Sequence, residues 1–324
     1  IRVQPNAKLS ERLVIDNENR PIGQEIPQGV KILGRAENGA RCVLAPSGDK
    51  PAVVLRGAEG ITIEGFDVQT SGAPIAIEMT GFLTRTALRD VKVTGFGETG
   101  LVSDASALFG GNIQLNGLEF HAGKPTAVGI RFAQSQGAAT VSVTGCRFID
   151  PMASGILFEG STSAVDVREC IFANQAVGIH FAGGSAVFND IVVSNNTFYK
   201  LQNGIVFDDI PAAASSNLTF SRNLFAQLSG AEAIVAKNFD ATTFNRFVNS
   251  GKSIRGNLTS QKLPSDAARA IDLFTNGGQR DAKVPFASEA PSEANFLAPA
   301  GDSAAGKLPG AQSGEKPFVG AVGP

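Results

Sequence analysis

The sequence predicts an all-β solenoid, because one short phrase recurs at a nearly constant interval and a second phrase follows it each time. The first phrase alternates apolar and polar residues, passes a turn residue and ends on phenylalanine, as in Val141–Phe148, Val165–Phe172 and Ile191–Phe198. The second reads Gly-Ile-x-Phe at Gly155–Phe158, Gly178–Phe181 and Gly204–Phe207. The first phrases begin at residues 141, 165 and 191, so they are 24 and 26 residues apart. This interval is typical of stacked-repeat architectures.

Seven copies of the first phrase are predicted, beginning at Ile61, Val91, Ile113, Val141, Val165, Ile191 and Leu218. Positions one and three are apolar and positions two and four are mostly polar, which is the alternation of a half-buried strand. Equal positions of successive copies would therefore lie above one another and form columns. Position eight would form a phenylalanine column. Position six ends in Asn196 and Asn223, whose amides we expect to pass hydrogen bonds along the stack.

The repeats divide the chain into three consecutive parts of one continuous domain. Residues 1–60 are predicted to form irregular N-terminal coils, residues 61–240 the regular coils, and residues 241–324 an irregular C-terminal cap and tail. A repeat spacing near 25 residues gives roughly nine or ten coils. A short helix is predicted at Asp266–Thr275, where apolar residues have helical spacing. Because the chain begins at Ile1 without an initiator methionine, we expect a mature form or a fragment.

Composition narrows the classes of partner. A net charge of −2 and a pI near 5.8 give no basic surface for nucleic acid, and no apolar run is long enough for membrane insertion. With 22 Phe, one Tyr and no Trp, the sequence suits a dry interior better than a sugar-stacking groove. Cys42, Cys146 and Cys170 fit neither a disulfide framework nor a CxxC metal site. Cys146 and Cys170 share one position of successive copies, about 4.8 Å apart, so the alternatives are a strained bridge and two free buried thiols, of which we expect the thiols.

The phrases [VI]-x-[VI]-x-x-[NC]-x-F and G-I-x-F, between about Ile61 and Phe207, resemble the repeats of the right-handed parallel β-helix family, the pectate-lyase-like superfamily. The resemblance implies a right-handed parallel β-helix. It does not imply one activity, because this fold carries lyases, hydrolases, epimerases, adhesins and proteins without known activity. The opening Ile1-Arg-Val3 and the closing run from Phe318 are also similar to β-helix domains of secreted or membrane-anchored bacterial proteins, including outer domains of serine/threonine kinases.

The sequence departs from the catalytic members of that family. The Arg-x-Pro-x-x-Arg element of pectate lyases is approached only at Arg20-Pro21, where the second arginine is missing. Of the polygalacturonase blocks, only an Asp-Asp pair occurs, at Asp208-Asp209, and His180 is followed by Phe instead of Gly. The sequence also lacks the phosphate-loop and catalytic-loop motifs of protein kinases. The departures favour binding over catalysis.

One outward column of the second phrase is predicted to be rich in carboxylates, with the members Glu78, Asp104, Ala133, Glu159, Ala182 and Asp208. Carboxylate oxygens suit Ca²⁺, so Glu78 and Asp104, which would be neighbours, are candidate metal ligands. The alternative is a solvated strand edge, because Glu159 and Asp208 would lie two coils apart, about 10 Å at strand spacing. We expect no resident cofactor, with Ca²⁺ as the alternative.

The neighbouring outward column would contain Ala76, Val102, Arg131, Leu157, His180 and Val206. His180 would lie diagonally between Glu159 and Asp208. Glu159, His180 and Asp208, with Asp209 beside them, are the candidate catalytic residues of a lyase or hydrolase, in which the carboxylates would act as acid and base. Arg131 and His180 are the candidate contacts to an acidic sugar. The alternative is an exposed imidazole among modest surface charges. His121 is interpreted as a loop residue.

Two functions are consistent with these patterns. The first is a non-catalytic extracytoplasmic binding or scaffold domain, more specifically the sensor part of a larger membrane-anchored, kinase-like bacterial protein. The second is a polysaccharide lyase or glycoside hydrolase that acts on an acidic glycan. The expected partner is a polysaccharide or another cell-envelope ligand, not nucleic acid, and the expected location is outside the cytoplasm.

Overall fold

A computed structural model gives the fold of the chain. It describes residues 1–4, 7–19, 28–35, 39–133, 140–183, 187–208, 216–230, 233–237, 254–260, 278–279, 282–293, 295–300, 303, 305 and 319–321. The predicted helix at Asp266–Thr275 and most of the predicted C-terminal tail lie outside these residues. Within the described ranges no helix has the length and apolar character needed to cross a membrane.

The described residues contain short strands in close succession. The first ten are β1 (Lys8–Leu9), β2 (Leu13–Asp16), β3 (Lys31–Leu33), β4 (Cys42–Leu44), β5 (Val53–Arg56), β6 (Thr62–Glu64), β7 (Phe66–Gln69), β8 (Ile75–Thr80), β9 (Phe82–Leu83) and β10 (Thr86–Arg89). The next ten are β11 (Lys92–Phe96), β12 (Thr99–Ser103), β13 (Leu108–Phe109), β14 (Ile113–Asn116), β15 (Glu119–Ala122), β16 (Val128–Phe132), β17 (Val141–Thr144), β18 (Arg147–Phe148), β19 (Ser154–Glu159) and β20 (Thr162–Arg168). The last ten are β21 (Ile171–Ala173), β22 (Val177–Ala182), β23 (Phe188–Ser194), β24 (Thr197–Tyr199), β25 (Asn203–Phe207), β26 (Ser216–Ser221), β27 (Leu224–Ala226), β28 (Ile234–Ala236), β29 (Ile254–Arg255) and β30 (Leu258–Thr259).

Three parallel sheets run along the stack. The first sheet has the order β3-β6-β10-β14-β17-β20-β23-β26-β29, the second β1-β4-β7-β11-β15-β18-β21-β24-β27-β30, and the third β2-β5-β8-β12-β16-β19-β22-β25-β28. The small pair β9 and β13 stands apart from them. The chain passes through the first, second and third sheets in turn, as in β20, β21 and β22, and then begins the next coil. The predicted all-β parallel solenoid is confirmed.

A sharp corner joins the first sheet to the second in each coil. The corner residue is position five of the first phrase, and it has a positive φ of 63° at Gly145, 57° at Glu169 and 53° at Asn195. Glycine adopts this left-handed conformation without steric cost, whereas other residues adopt it only as isolated residues in turns. The turn residue recognised in the sequence is therefore the residue that turns the backbone between two sheets.

Phenylalanine side chains fill the interior as two continuous files. Phe120, Phe148, Phe172, Phe198 and Phe225 stack on the second sheet with ring centroids 4.7 to 5.1 Å apart. Phe132, Phe158, Phe181 and Phe207 stack on the third sheet at 4.6 to 5.0 Å. The predicted phenylalanine column is confirmed, and a second column accompanies it.

The glycine that opens the second phrase faces the first of these files. A Cβ atom at Gly178 would lie 2.6 Å from Cδ1 of Phe198 and 2.7 Å from the carbonyl oxygen of Gly204. Both distances are below van der Waals contact, so no larger residue fits there without movement of the backbone. The sequence repeats glycine at this position because the phenylalanine file occupies the space of a side chain.

Position six of the first phrase forms a buried polar column. Oδ1 of Asn196 accepts the backbone N–H of Cys170 at 2.9 Å, and Oδ1 of Asn223 accepts that of Asn196 at 3.0 Å. Oδ1 of Asn257 in turn accepts the N–H of Asn223 at 2.9 Å. The predicted asparagine ladder is confirmed and extends by one coil. Cys146 and Cys170 lie in this column and are free and buried, as predicted, and Cys42 is free and buried as well.

One predicted copy of the first phrase has the wrong register. The strand that pairs with Ile113 and its neighbours is β10, in which Thr86 opposes Ile113 and Leu88 opposes Leu115. Val91 instead precedes β11 in the second sheet, at position six. Val91-Lys-Val-Thr94 alternates apolar and polar residues, whereas Thr86-Ala-Leu-Arg89 begins with a polar residue and has an apolar second residue, so Val91 was the better match by pattern. With Thr86 in place, the copies recur every 24 to 28 residues.

The C-terminal part of the chain covers the outer face of the second sheet. The described residues between 282 and 300, called the strap, pack on this face in the later coils. Outward residues of the sheet and residues of the C-terminal part form two small apolar clusters, whose members are Ile149, Ile171, Ala173, Tyr199, Ala226, Phe286, Phe296, Leu297 and Ala321, and Leu224, Leu258, Val284, Ala305 and Val319. The second sheet therefore has apolar side chains on both faces in these coils.

Candidate functional site

The outer face of the third sheet carries most of the predicted site residues. The strand register places Glu78, Val102, Arg131, Leu157, His180 and Val206 in one outward column. The predicted column had Ala76 in the place of Glu78. That prediction was wrong because β8 continues to Thr80, so its inward pair is Ile77 and Met79, and Glu78 lies between them.

The second outward column contains Asp104, Ala133, Glu159, Ala182 and Asp208, without Glu78. Glu78 opposes Val102, so Glu78 and Asp104 are diagonal and not neighbours as predicted. The carboxylate of Asp104 accepts the N–H of Ser106 at 2.7 Å and its hydroxyl at 2.6 Å. In the part of the chain that the structure describes, no group of three or more His, Cys, Asp or Glu residues is placed to hold a metal ion. The expectation of no resident cofactor, with Ca²⁺ as the alternative, stays a prediction.

Arg131 and Glu159 form an ion pair across adjacent coils. Nε and one terminal nitrogen of Arg131 both lie 2.8 Å from Oε2 of Glu159. Both side chains remain partly exposed, 42% for Arg131 and 34% for Glu159, so a ligand can reach them. The structure thus brings together one member of each of the two outward columns.

A groove of about 210 Å³ begins at this ion pair. Its lining includes residues from the turns before β12 and β16, and its members are Gly97, Glu98, Thr99, Thr126, Val128, Arg131, Leu157 and Glu159. The lining combines the apolar side chains of Val128 and Leu157 with charged and hydroxyl groups. Sequence analysis missed Glu98 and Thr126, because they lie in turns that carry no repeat signal.

His180, Asp208 and Lys237 form a second polar group farther along the same face. Nε2 of His180 lies 2.9 Å from Oδ2 of Asp208, and Nζ of Lys237 donates to Oδ1 at 2.6 Å. Partial burial raises the pKa of Asp208, but the hydrogen bonds from Lys237 and His180 outweigh it, so the pKa lies below its usual value. Asp208 is therefore ionised at neutral pH. Sequence analysis missed Lys237, and the predicted site residue Asp209 lies outside the described residues.

Residues 110–262 match the family described as "Right handed beta helix region". They include the coils that carry Arg131, Glu159, His180 and Asp208. The fold of the described residues is a right-handed parallel β-helix. Searches of curated proteins and of solved structures give no match. The family and the fold support a general scaffold, binding or polysaccharide-related domain.

The carboxylates Glu159 and Asp208 on the outer face of the third sheet are each paired with a cation. Glu159 and Asp208 lie two coil steps apart, about 10 Å at the spacing of parallel strands. Inverting glycosidases hold their two carboxyl groups about 6.5–9.5 Å apart, and retaining enzymes about 5–5.5 Å. Each carboxylate here also has a cationic partner, Arg131 for Glu159 and Lys237 for Asp208, which holds the side chain in one position. This arrangement suits hydrogen bonding to hydroxyl and carboxylate groups of a bound molecule.

Proposed function

We propose that this β-helix is an extracytoplasmic binding or scaffold domain that binds a polysaccharide or another cell-envelope glycan on the outer face of its third sheet. The binding surface would extend from the groove at Arg131 and Glu159 to the group formed by His180, Asp208 and Lys237. The observation that carries the proposal is that both carboxylates are already paired with cations on one open face.

Paired charges of this kind favour recognition of hydroxylated and acidic ligands. A carboxylate that is already ionised accepts hydrogen bonds from sugar hydroxyls, while arginine and lysine donate to carboxylate groups. The groove next to Arg131 combines apolar side chains with charged and hydroxyl groups, which can pack on a sugar ring and bind its polar groups. The extracytoplasmic location and the sensor role rest on the resemblance to outer domains of membrane-anchored bacterial proteins.

The alternative is a lyase or hydrolase that acts on an acidic glycan. It is favoured by the contact between His180 and Asp208, since a carboxylate that orients an imidazole is a common arrangement of a general base. The distance between Glu159 and Asp208 and the presence of Lys237 on Asp208 weigh against a carboxylate pair acting as acid and base.

A glycan-binding screen tests the proposal. We expect wild-type protein to bind acidic glycans, and Arg131→Ala to bind them about 10- to 100-fold more weakly, because a hydrogen bond to a charged group contributes about 1.5–3 kcal/mol. Arg89→Ala is the matched control, since Arg89 is exposed on the first sheet and contacts Gln114. Equal affinity of the two variants, or no binding by the wild type, contradicts the proposal.

The same glycans separate binding from catalysis. If the wild type releases reducing ends or unsaturated products and Asp208→Ala does not, the protein is a lyase or hydrolase, and the proposal of a non-catalytic binding domain is wrong. Binding without any product supports the binding domain.

A further inference from the structure

A second charged cluster lies on the second sheet, away from the proposed ligand face. His121 is part of β15 and not of a loop, so the sequence-based interpretation of this residue was wrong. Its Nε2 lies 2.6 Å from Oε1 of Glu119, and its Nδ1 lies 3.0 Å from Oδ2 of Asp150. A neutral imidazole has only one N–H group, whereas both nitrogens here face carboxylate oxygens. The geometry therefore fits the protonated, doubly donating form of His121.

The cluster reaches the strap through Arg147. One terminal nitrogen of Arg147 lies 3.8 Å from Oε2 of Glu119, and the other donates to the carbonyl oxygen of Pro291 at 2.6 Å. The guanidinium carbon also lies 5.4 Å from the centre of the Phe296 ring. Pro291 and Phe296 belong to the strap, so the arginine that touches Glu119 also holds the strap on the sheet.

We propose that His121 and Arg147 form a pH-sensitive clasp for the strap, in which protonated His121 satisfies Glu119 and Asp150 and leaves Arg147 bound to Pro291. When His121 loses its proton, one of the carboxylates loses its donor. Arg147, whose guanidinium already lies 3.8 Å from Glu119, can replace that donor. Its guanidinium then turns from the strap to the carboxylates, and the strap loosens.

Two of the other charged groups near His121 and on the strap, Lys92 and Glu289, already have partners. Lys92 contacts Glu119 at 3.1 Å from the neighbouring strand β11, and Asp67 is its register partner on β7. The strap carries Lys283, Glu289 and Glu293 among its described residues, and Glu289 is bound to Tyr199 and Lys200. With Lys92 fixed on Glu119, Arg147 is the cation that links this cluster to the strap.

The pKa values in the cluster give the pH range. The hydrogen bond to Glu119 raises the pKa of His121 above its ordinary value of 6.5, although burial opposes this. The same bond lowers the pKa of Glu119 to about 2. A raised histidine pKa stabilises the folded state fully below about pH 6.5, and the stabilisation is lost as pH rises through the folded value. A lowered carboxyl pKa stabilises above about pH 4.3, and that contribution is lost as pH falls toward 2. The clasp is therefore expected to be firm between these limits and to loosen as pH rises through the raised pKa of His121.

Tyr199 reports the position of the strap. It is the only tyrosine of a chain without tryptophan, its ring lies edge-on to Phe286 at 5.5 Å, and its hydroxyl donates to Glu289. Burial and the bond to Glu289 raise the pKa of Tyr199, so its own titration lies above the range in which His121 changes charge. Tyrosine fluorescence is thus a direct signal of strap docking.

The test is a titration of the full chain from about pH 5.5 to about pH 9. We expect Tyr199 fluorescence of the wild type to change in one step while the far-ultraviolet circular dichroism stays constant. The step should vanish in His121→Gln and remain in His180→Gln, which replaces the only other histidine. A wild type without a step, a step that persists in His121→Gln, or a step that accompanies global unfolding overturns the proposal.

Magnetic resonance of the wild type tests the clasp even where His121→Gln does not fold. The ring signal of His121 should titrate with the same midpoint as the ring signals of Tyr199. Different midpoints, or a His121 signal that does not titrate while Tyr199 changes, contradict the clasp.

Discussion

Replacement of Asn223 by alanine is expected to lower the free energy of unfolding by about 2–4 kcal/mol. The side chain is fully buried, and its Oδ1 accepts from both the backbone N–H and Nδ2 of Asn196 at 3.0 Å. Its Nδ2 donates to the carbonyl oxygen of Val193 at 2.8 Å and to Oδ1 of Asn257 at 3.0 Å. Alanine removes all of these bonds and leaves buried partners behind, and each unsatisfied group costs about 1–3 kcal/mol.

Equilibrium unfolding in urea measures this loss. The matched control is Asn116→Ala, because Asn116 is exposed at the end of β14 and is expected to change stability by less than about 0.5 kcal/mol. If Asn223→Ala is as stable as Asn116→Ala, the asparagine column does not hold the coils together.

Replacement of Phe172 by alanine is expected to cost about 3–5 kcal/mol, the range for a fully buried phenylalanine. Its ring lies between Phe148 at 4.9 Å and Phe198 at 5.0 Å, with interplanar angles of 2° and 7°. The backbone of Gly155 forms another wall, since a Cβ there would lie 2.5 Å from Cδ1 of Phe172. Rings and backbone on three sides cannot collapse into the space, so a cavity remains.

The same urea experiment on Phe82→Ala gives the control. Phe82 is 51% exposed, so its removal leaves no cavity and is expected to change stability by less than about 1 kcal/mol. A small loss in Phe172→Ala, similar to that in Phe82→Ala, would mean that the stacked file contributes little to the fold.

The phenylalanine column of the second sheet and the asparagine column could be predicted from sequence. In parallel strands with a regular register, residues that share a position in the repeat lie above one another. Once Phe148, Phe172 and Phe198 share a place in a repeat, parallel pairing puts them above one another. The predicted asparagine column ended at Asn223 and missed Asn257, because the segment from Ile254 to Thr259 keeps the asparagine and lacks the final phenylalanine. The structure nevertheless places β29 and β30 on the ends of the first and second sheets.

The candidate site was predictable in part for the same reason. The pairing of Arg131 with Glu159 and of His180 with Asp208 follows from two outward columns whose register is regular in these coils. The register of Glu78 was not predictable, because β8 is longer than the phrase that suggested it. Lys237 follows a strand that has no recognisable phrase, so nothing in the sequence pointed to its contact with Asp208.

The packing of the strap on the second sheet could not be predicted from the sequence. Its contacts join residues far apart in sequence, such as Arg147 and Pro291, and an irregular segment has no period from which a register can be derived. The second sheet itself carried a sequence signal that its outer face is covered. Ile171 and Tyr199 occupy outward positions of the second sheet, and such apolar residues in successive coils require a cover.

The most direct test of the proposed binding face uses the two histidines as reporters on different sheets. A proton–carbon spectrum of the histidine rings contains one signal from His121 on the second sheet and one from His180 on the third. When an acidic glycan identified in the screen is added, we predict that the His180 signal moves in proportion to binding while the His121 signal stays in place. A bound glycan that leaves His180 unchanged, or that moves His121 alone, would contradict the assignment of the third sheet as the ligand surface.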